Sequence, residues 1–505
     1  MLRQLKRTAA AAMPEAVLLA QLKQQTLSAN LKGADIIAQL SDAEFDLVLD
    51  QLEVLQRHAV TGQRLTERVY PELTKDAFSL ELYQTFVQQA ALRKKGEKPK
   101  VLLLAASGRD PFAAVDFYLD LFRQLGADAH WLPLNAAYQA SVRQAEGCKN
   151  FPQQLASMQG SYQRDAVYPD LMAEQLAFCQ QGEAAALAMI RQADGIFING
   201  GNQSLTYQAL KTPTGNDTPM LALIRQQMKA GQLIMAGSSA GTAVQAGGSY
   251  LGQSTVMITN GQSETAFSAG AVAAPAPLPG CQHSQSCGKG LSASSLTYQP
   301  QGGLGLFQFG ILDTHFSERG REGRLLALVA QTGAHFGFGV DEVTALLVKL
   351  EQASQARFRV AGREGVYVAQ RQADSVFTAG KQLKMQSHYF SRDDEFQLNQ
   401  QRLMVTPATW KQSVQPTKGI FNQAALEPTA ISDSALSDDS YSNLASTLCQ
   451  SQAATLRQQF QTPAGPLQLT LQRDVKTGSW SGRYQQKDQH KVYCSYQNMG
   501  VWLQR

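Results

Sequence analysis

No run of apolar residues in this sequence approaches the ~18 needed to cross a membrane, so no membrane-spanning segment is expected. Charge is scarce: charged residues are 17% of the chain, against roughly 25% in ordinary globular proteins. The net charge is only +4 and no Lys/Arg block stands out, so nucleic-acid binding has no electrostatic footprint. No CxxC pair is present, which argues against a structural zinc site, and no HExxH, which removes the zincin class. No internal repeat is evident. A clean secretory hydrophobic region is missing too: Arg3, Lys6 and Arg7 precede an Ala-rich stretch that Pro14 and Glu15 break. The chain is expected to be soluble. A leader removed by processing stays open, as do cytoplasmic and exported locations.

What is present reads as a globular protein of two or three domains, with 44% hydrophobic residues over 505 positions. The six cysteines are Cys148, Cys179, Cys281, Cys287, Cys449 and Cys494. Cys281 and Cys287 share a loop-like segment, and Cys449 and Cys494 share the C-terminal region. Two or three disulfides are compatible with this spacing, and so are six free thiols.

Residues 1–98 read as a helical N-terminal extension, with Phe45, Leu47, Val48, Leu52, Val54 and Leu55 at helical spacing and no catalytic constellation. From Lys100 the pattern changes. VLLLAASG (101–108), AHWLPL (129–134), GIFING (195–200) and LIMAG (233–237) are strand candidates separated by helical stretches. Such alternation predicts an α/β sheet with helices on both faces. Residues 248–303, rich in Ser, Gly, Gln, Ala and Pro, read as an insertion into this domain of residues 99–407. Residues 408–505 read as a small β-rich C-terminal module behind an acidic, Ser-rich linker at 431–442.

Four segments carry chemistry. GSSAGT (237–242) contains G-x-S-x-G, with Ser239 where a buried strand turns into a helix. A nucleophile suits that place because the tight turn pushes its hydroxyl clear of the backbone. NGGNQ (199–203) follows another strand, and its glycines let backbone N–H groups approach a ligand, so Gly201 and Ala240 are candidate oxyanion donors. DTHFSERGREGRL (313–325) places His315 at a strand end beside Asp313, Arg319, Arg321 and Arg324. Arginine forks suit carboxylates. GFGVDEVTALLV (337–348) holds Asp341 and Glu342 between two apolar runs, where a carboxylate could orient His315.

In order, GGNQ, GSSAG, DTHFSERGREGRL and GVDEVTA resemble the motifs of the cyanophycinase and dipeptidase E family of serine peptidases, over roughly residues 99–400. The resemblance implies a class I glutamine amidotransferase-like (flavodoxin-like), mostly parallel sheet. It implies Ser239 as nucleophile, His315 as general base, Glu342 as third member and Gly201 at the oxyanion position. Gln203, Asp313, Arg319, Arg321 and Arg324 match substrate-binding positions. The implied substrate is cyanophycin or another aspartyl peptide, cleaved at isoaspartyl bonds to release β-Asp-Arg, without metal or organic cofactor. Family members often form homodimers, and that remains open here. Thr242 departs from the small Ala common in the elbow.

Three rivals share part of this pattern. An α-aspartyl dipeptidase would use the same residues. A binding protein of the glutamine amidotransferase type would use none catalytically. An α/β-hydrolase esterase would order its triad Ser, acid, His and need a set such as Ser239, Asp341 and His388.

Overall fold

The computed structural model describes residues 12–28, 30–93, 97–278, 280–352, 354–414, 425–427, 436, 438–462, 465–486 and 489–505. The basic stretch of Arg3, Lys6 and Arg7, and half of the 431–442 segment, lie outside the described residues. No described helix is long and apolar enough to cross a membrane.

Helix α1 (Asp42–Leu52) starts at a capping box in which Ser41 and Glu44 satisfy each other's backbone N–H groups. Helix α2 (Ala77–Ala91) is capped by Asp76, which accepts from the N–H groups of Phe78 and Ser79. This last helix of the N-terminal region does more than cover the domain. It buries Phe86, Val87 and Ala90 in the main core, and Phe86 lies 5.8 Å from the Phe197 ring. The fit explains Gly195, where a Cβ would lie 3.0 Å from Phe86. Buried ion pairs hold the region down: Arg164 meets Glu53 at 2.6 Å and Asp110 at 2.7 Å, and Arg64 meets Asp116 and Asp170, each at 2.6 Å.

The predicted strands pair in parallel. β1 (Lys100–Leu104), β2 (Asp128–Trp131), β3 (Gly195–Ile198) and β4 (Ile234–Gly237) form one sheet in the order β2-β1-β3-β4. Helix α3 (Val115–Gln124) lies between β1 and β2 in the chain and packs Phe122 5.3 Å from Phe197. β3 leads into α4 (Gln203–Leu210), and β4 into the short α5 (Ala240–Ala243). β1 and β3 lack polar alternation because both faces are covered, whereas the edge strand β2 alternates exposed Asp128 and His130 with buried Ala129 and Trp131.

The expected insertion is folded. Strands β5 (Met257–Asn260), β6 (Ala271–Ala273) and β7 (Leu296–Gln299) make a small sheet in the order β6-β7-β5. Beyond it, β8 (Ile311–Thr314), α6 (Glu322–Thr332) and β9 (Phe336–Val340) form a β-α-β unit with β8 parallel to β9. From there the pattern becomes antiparallel. β10 (Gly365–Gln370) and β11 (Gln382–Ser391) continue the same sheet. After helix α7 (Ser440–Gln450) come β12 (Thr455–Thr462), β13 (Gly465–Gln472), β14 (Gly478–Gln486) and β15 (Gln489–Gln504). The sheet path runs β8-β9-β10-β11-β15-β13-β12, with β14 on β15. The C-terminal strands therefore extend the sheet that begins at β8; Met385 of β11 faces Val501 of β15. The fold is mixed α/β, and its larger sheet is mainly antiparallel.

The cysteines pair as Cys148–Cys179, Cys281–Cys287 and Cys449–Cys494, with no free cysteine among the described residues. The third pair ties α7 to β15.

Candidate active site

β4 ends at Gly237, and Ser239 follows with φ 50° and ψ −115°, outside the basins L-residues prefer. Such strain persists only where surroundings over-determine it. Here the surroundings are steric. A Cβ at Gly237 would lie 2.2 Å from the Gly241 carbonyl oxygen, and one at Gly241 would lie 2.3 Å from that of Ile198. The elbow is thus pressed against the end of β3. Thr242, the departure from Ala, donates its hydroxyl to the Gly237 carbonyl at 2.6 Å and braces the turn.

β8 and β9 run parallel, with Thr314 beside Val340, so the residues just past both strands emerge together. His315 follows β8 with φ 47°, and Glu342 comes two residues after β9. The His315 Nδ1 lies 2.6 Å from Glu342 Oε1, and its Nε2 lies 2.8 Å from Ser239 Oγ. With Nδ1–H donating to the Glu342 carboxylate, the Nε2 lone pair faces the serine hydroxyl. All three residues named from the sequence meet in one hydrogen-bonded chain.

The 199–203 turn lies against the serine. A Cβ on Gly200 would sit 3.3 Å from that of Ser239. Gly201 has φ 138° and lies so close to β1 that a Cβ would be 2.1 Å from the Ser107 carbonyl oxygen. Asn202 N–H donates to that carbonyl at 2.7 Å, and Asn199 Oδ1 accepts from Ser107 N–H at 3.1 Å. The N–H groups of Gly201 and Ala240 have no backbone acceptor among the described residues. For Ala240 this follows from its place as the first helical residue.

The residues named as substrate contacts divide. Asp313 is buried, and Arg324 reaches it through Nε at 2.8 Å and Nη2 at 2.5 Å, while Arg324 Nη1 donates to the Gly261 carbonyl at 2.5 Å. Burial works against the Asp313 charge, but Arg324 and Arg321 outweigh it and hold the carboxyl below its ordinary range. In this pair the polar atoms of Asp313 and Arg324 are spent on each other and on the insertion. Gln203 likewise donates its amide to the carbonyls of Ile258 at 2.8 Å and Thr259 at 3.2 Å, joining α4 to β5. Arg321 is half-buried and donates to the Thr314 carbonyl at 2.5 Å; burial and the neighbouring arginines bring its pKa down to about 10. Arg319 is exposed and has no ion-pair partner among the described residues.

Two acids behind the chain carry support that sequence reasoning did not assign. Asp341 is buried and accepts from Ser317 N–H at 2.9 Å and Tyr389 Oη at 2.7 Å; burial, foremost, pushes it up to about 6. Glu318 accepts the Glu342 N–H at 2.9 Å, and burial and then the Asp341 charge push it up to about 7. The adjacency of Asp341 to Glu342 was the only signal available, since the partners are remote in sequence. A carboxyl raised in the folded state stabilises the fold below its unfolded pKa and loses that contribution as pH rises through its folded pKa. Wild-type Tm should therefore fall between about pH 4.5 and pH 7 for this group, and Glu318→Gln should flatten part of that fall in thermal scans. An unchanged Tm profile across this window would count against ionisation of Glu318 as its source.

His388 is fully buried, with Nε2 2.9 Å from Gln370 Oε1 and Nδ1 accepting from Asn498 N–H at 3.2 Å. Burial lowers its pKa to about 3. It is a core histidine, and the Ser239–Asp341–His388 arrangement is not formed. No cluster of His, Cys, Asp and Glu able to hold a metal ion occurs among the described residues.

Residues 168–356 match the model of Peptidase family S51. Cyanophycinases of Trichormus variabilis and of a Nostoc species are each 24% identical over 264 residues, covering 52% of this chain and 61% of theirs. The cyanophycinase of Geminocystis herdmanii is 27% identical over 192 residues, 38% of this chain and 55% of that one. The chain thus spans about three fifths of the length of the first two relatives. A solved peptidase from an acI-B1 actinobacterium aligns with 60% of this chain and 90% of its own at 18% identity, and a TM-score of 0.33 is too low to argue from. The segment that matches Peptidase family S51 holds Ser239, His315 and Glu342, the three residues of the hydrogen-bonded chain.

Proposed function

We propose that this chain is a serine exopeptidase that releases β-Asp-Arg dipeptides from cyanophycin; the bond hydrolysed is the aspartyl backbone peptide bond, because the isoaspartyl linkage to arginine survives in the product. The observation that carries the reading is the continuous chain from Ser239 Oγ to His315 at 2.8 Å and on to Glu342 at 2.6 Å. His315 Nε2 takes the hydroxyl proton as Ser239 attacks the carbonyl of the backbone peptide bond that joins one aspartyl unit to the next. Glu342 keeps the imidazole in the required tautomer and stabilises its protonated form. The Gly201 and Ala240 amides stabilise the oxyanion, at roughly 3–4 kcal/mol per donor. His315 then gives its proton to the leaving amine, and water releases the acyl group. Among the named arginines, Arg319 and Arg321 are best placed to hold the α-carboxylate of the aspartyl unit, because Arg324 is committed to Asp313. The parallel order β2-β1-β3-β4, with the serine after β4, supports a glutamine amidotransferase-like catalytic domain.

The likeness of this chain to cyanophycinases supports cyanophycin over other aspartyl peptides. The test is incubation with cyanophycin, following β-Asp-Arg by mass spectrometry, with α-Asp-X dipeptides in parallel. Dipeptide release from cyanophycin is expected. Turnover of α-aspartyl dipeptides alone would select the dipeptidase reading, and inertness of folded protein toward a fluorophosphonate probe would select a binding protein.

A further inference from the structure

Beneath α7, on the far side of Asp341 from His315, lies a cavity of about 120 Å³. A single water takes about 10–15 Å³ of such space, so a group of several heavy atoms fits. Its floor is Glu322, at the start of α6 and 1% exposed. Neither carboxylate oxygen of Glu322 has a hydrogen-bond partner. Four tyrosines line the cavity: Tyr367, Tyr441 and Tyr496, all buried, and the half-buried Tyr389. The mouth opens beside the exposed Lys491, whose ammonium is taken by Glu364.

An unpaired carboxylate in such a place is costly, and burial, with Asp341 and Asp439 nearby, pushes the Glu322 carboxyl far above its ordinary range. An entering cation therefore displaces a proton. Two free oxygens on one carboxylate match the planar fork of a guanidinium, and tyrosine faces attract such a cation. A metal ion is a poorer match, since the walls offer no cluster of ligands. We propose that this cavity is a binding site for a guanidinium group, held bidentately by Glu322 within the tyrosine walls. Tyr441, Lys491 and Tyr496 lie beyond the matched S51 segment, so the site belongs to what the C-terminal region adds. Ser317 and Tyr389 line it and also hold Asp341, the neighbour of Glu342, so an occupant sits behind the acid end of the Ser239–His315–Glu342 chain.

The test is calorimetric titration of the full chain with methylguanidinium chloride, independent of any peptidase activity. Saturable binding with proton release is expected. Glu322→Gln should weaken it at least tenfold, and so should Ala445→Leu, which fills the cavity from α7 and leaves Glu322 in place. N-acetyl-arginine amide in a second arm distinguishes sources: binding of both probes admits the side chain of a peptide, and binding of methylguanidinium alone restricts the site to free compounds. No saturable binding, equal binding in folded Glu322→Gln, or equal binding of methylammonium would overturn the proposal.

Discussion

Ser239→Ala, His315→Ala and the double variant are expected to lose cyanophycin turnover by the same factor, on the order of 10⁶ in kcat. The equality matters more than the size. Oγ and Nε2 are 2.8 Å apart and share one proton, so removing either leaves the other without a task. Independent contributions would multiply in the double variant; a proton-sharing pair cannot. The residual rate should resemble that of binding and oxyanion stabilisation alone, about 10³–10⁴ over water. Single-turnover kinetics on the three proteins checks this. A double variant much slower than either single one would mean that Ser239 and His315 act in separate steps, and the proposed mechanism would fail.

Gly201→Ala should cost about 10²–10³ in kcat while the fold survives. The added Cβ would stand 2.1 Å from the Ser107 carbonyl oxygen, so the turn must move, and the Gly201 N–H moves with it. The backbone at φ 138° adds strain of about 1–3 kcal/mol for an L-residue. Gly160→Ala separates the two effects. Gly160 also has positive φ, 63°, but a Cβ there meets nothing within 4 Å and lies far from the serine in the chain, at the end of a helix. It should lower Tm modestly and leave kcat unchanged. Equal kcat in wild type and Gly201→Ala would remove Gly201 from the oxyanion role.

The nucleophile elbow was legible because its signal is local. Gly237, Ser239 and Gly241 sit within one turn, and the steric reason for each glycine lies a few atoms away. The central strands β1 and β3 were legible for a similar reason: a strand covered on both faces needs an uninterrupted apolar run, and such a run is visible without any partner. The meeting of His315 with Glu342 was suggested by motif and realised by pairing, since it depends on β8 lying parallel to β9 in a register that aligns Thr314 with Val340.

The division of labour among the arginines was not legible. Arg319, Arg321 and Arg324 look alike in sequence, yet one is exposed, one half-buried and one locked to Asp313, because they fall in turn at the end of a 3-10 turn (Ser317–Arg319), just before α6 and within its first turn. The C-terminal strands were read as strands, but which sheet they join depends on the edge that β11 leaves open, some hundred residues earlier in the chain. The insertion read as loop because its strands are only three or four residues long and their partners are distant. What the sequence determined by itself is the chemistry that fits within a turn: an elbow serine, a glycine turn beside it, a histidine and an acid at strand ends. Which polar groups face the cleft and which are consumed inside was decided by tertiary packing, because burial and pairing are properties of neighbours that the chain brings together only when folded.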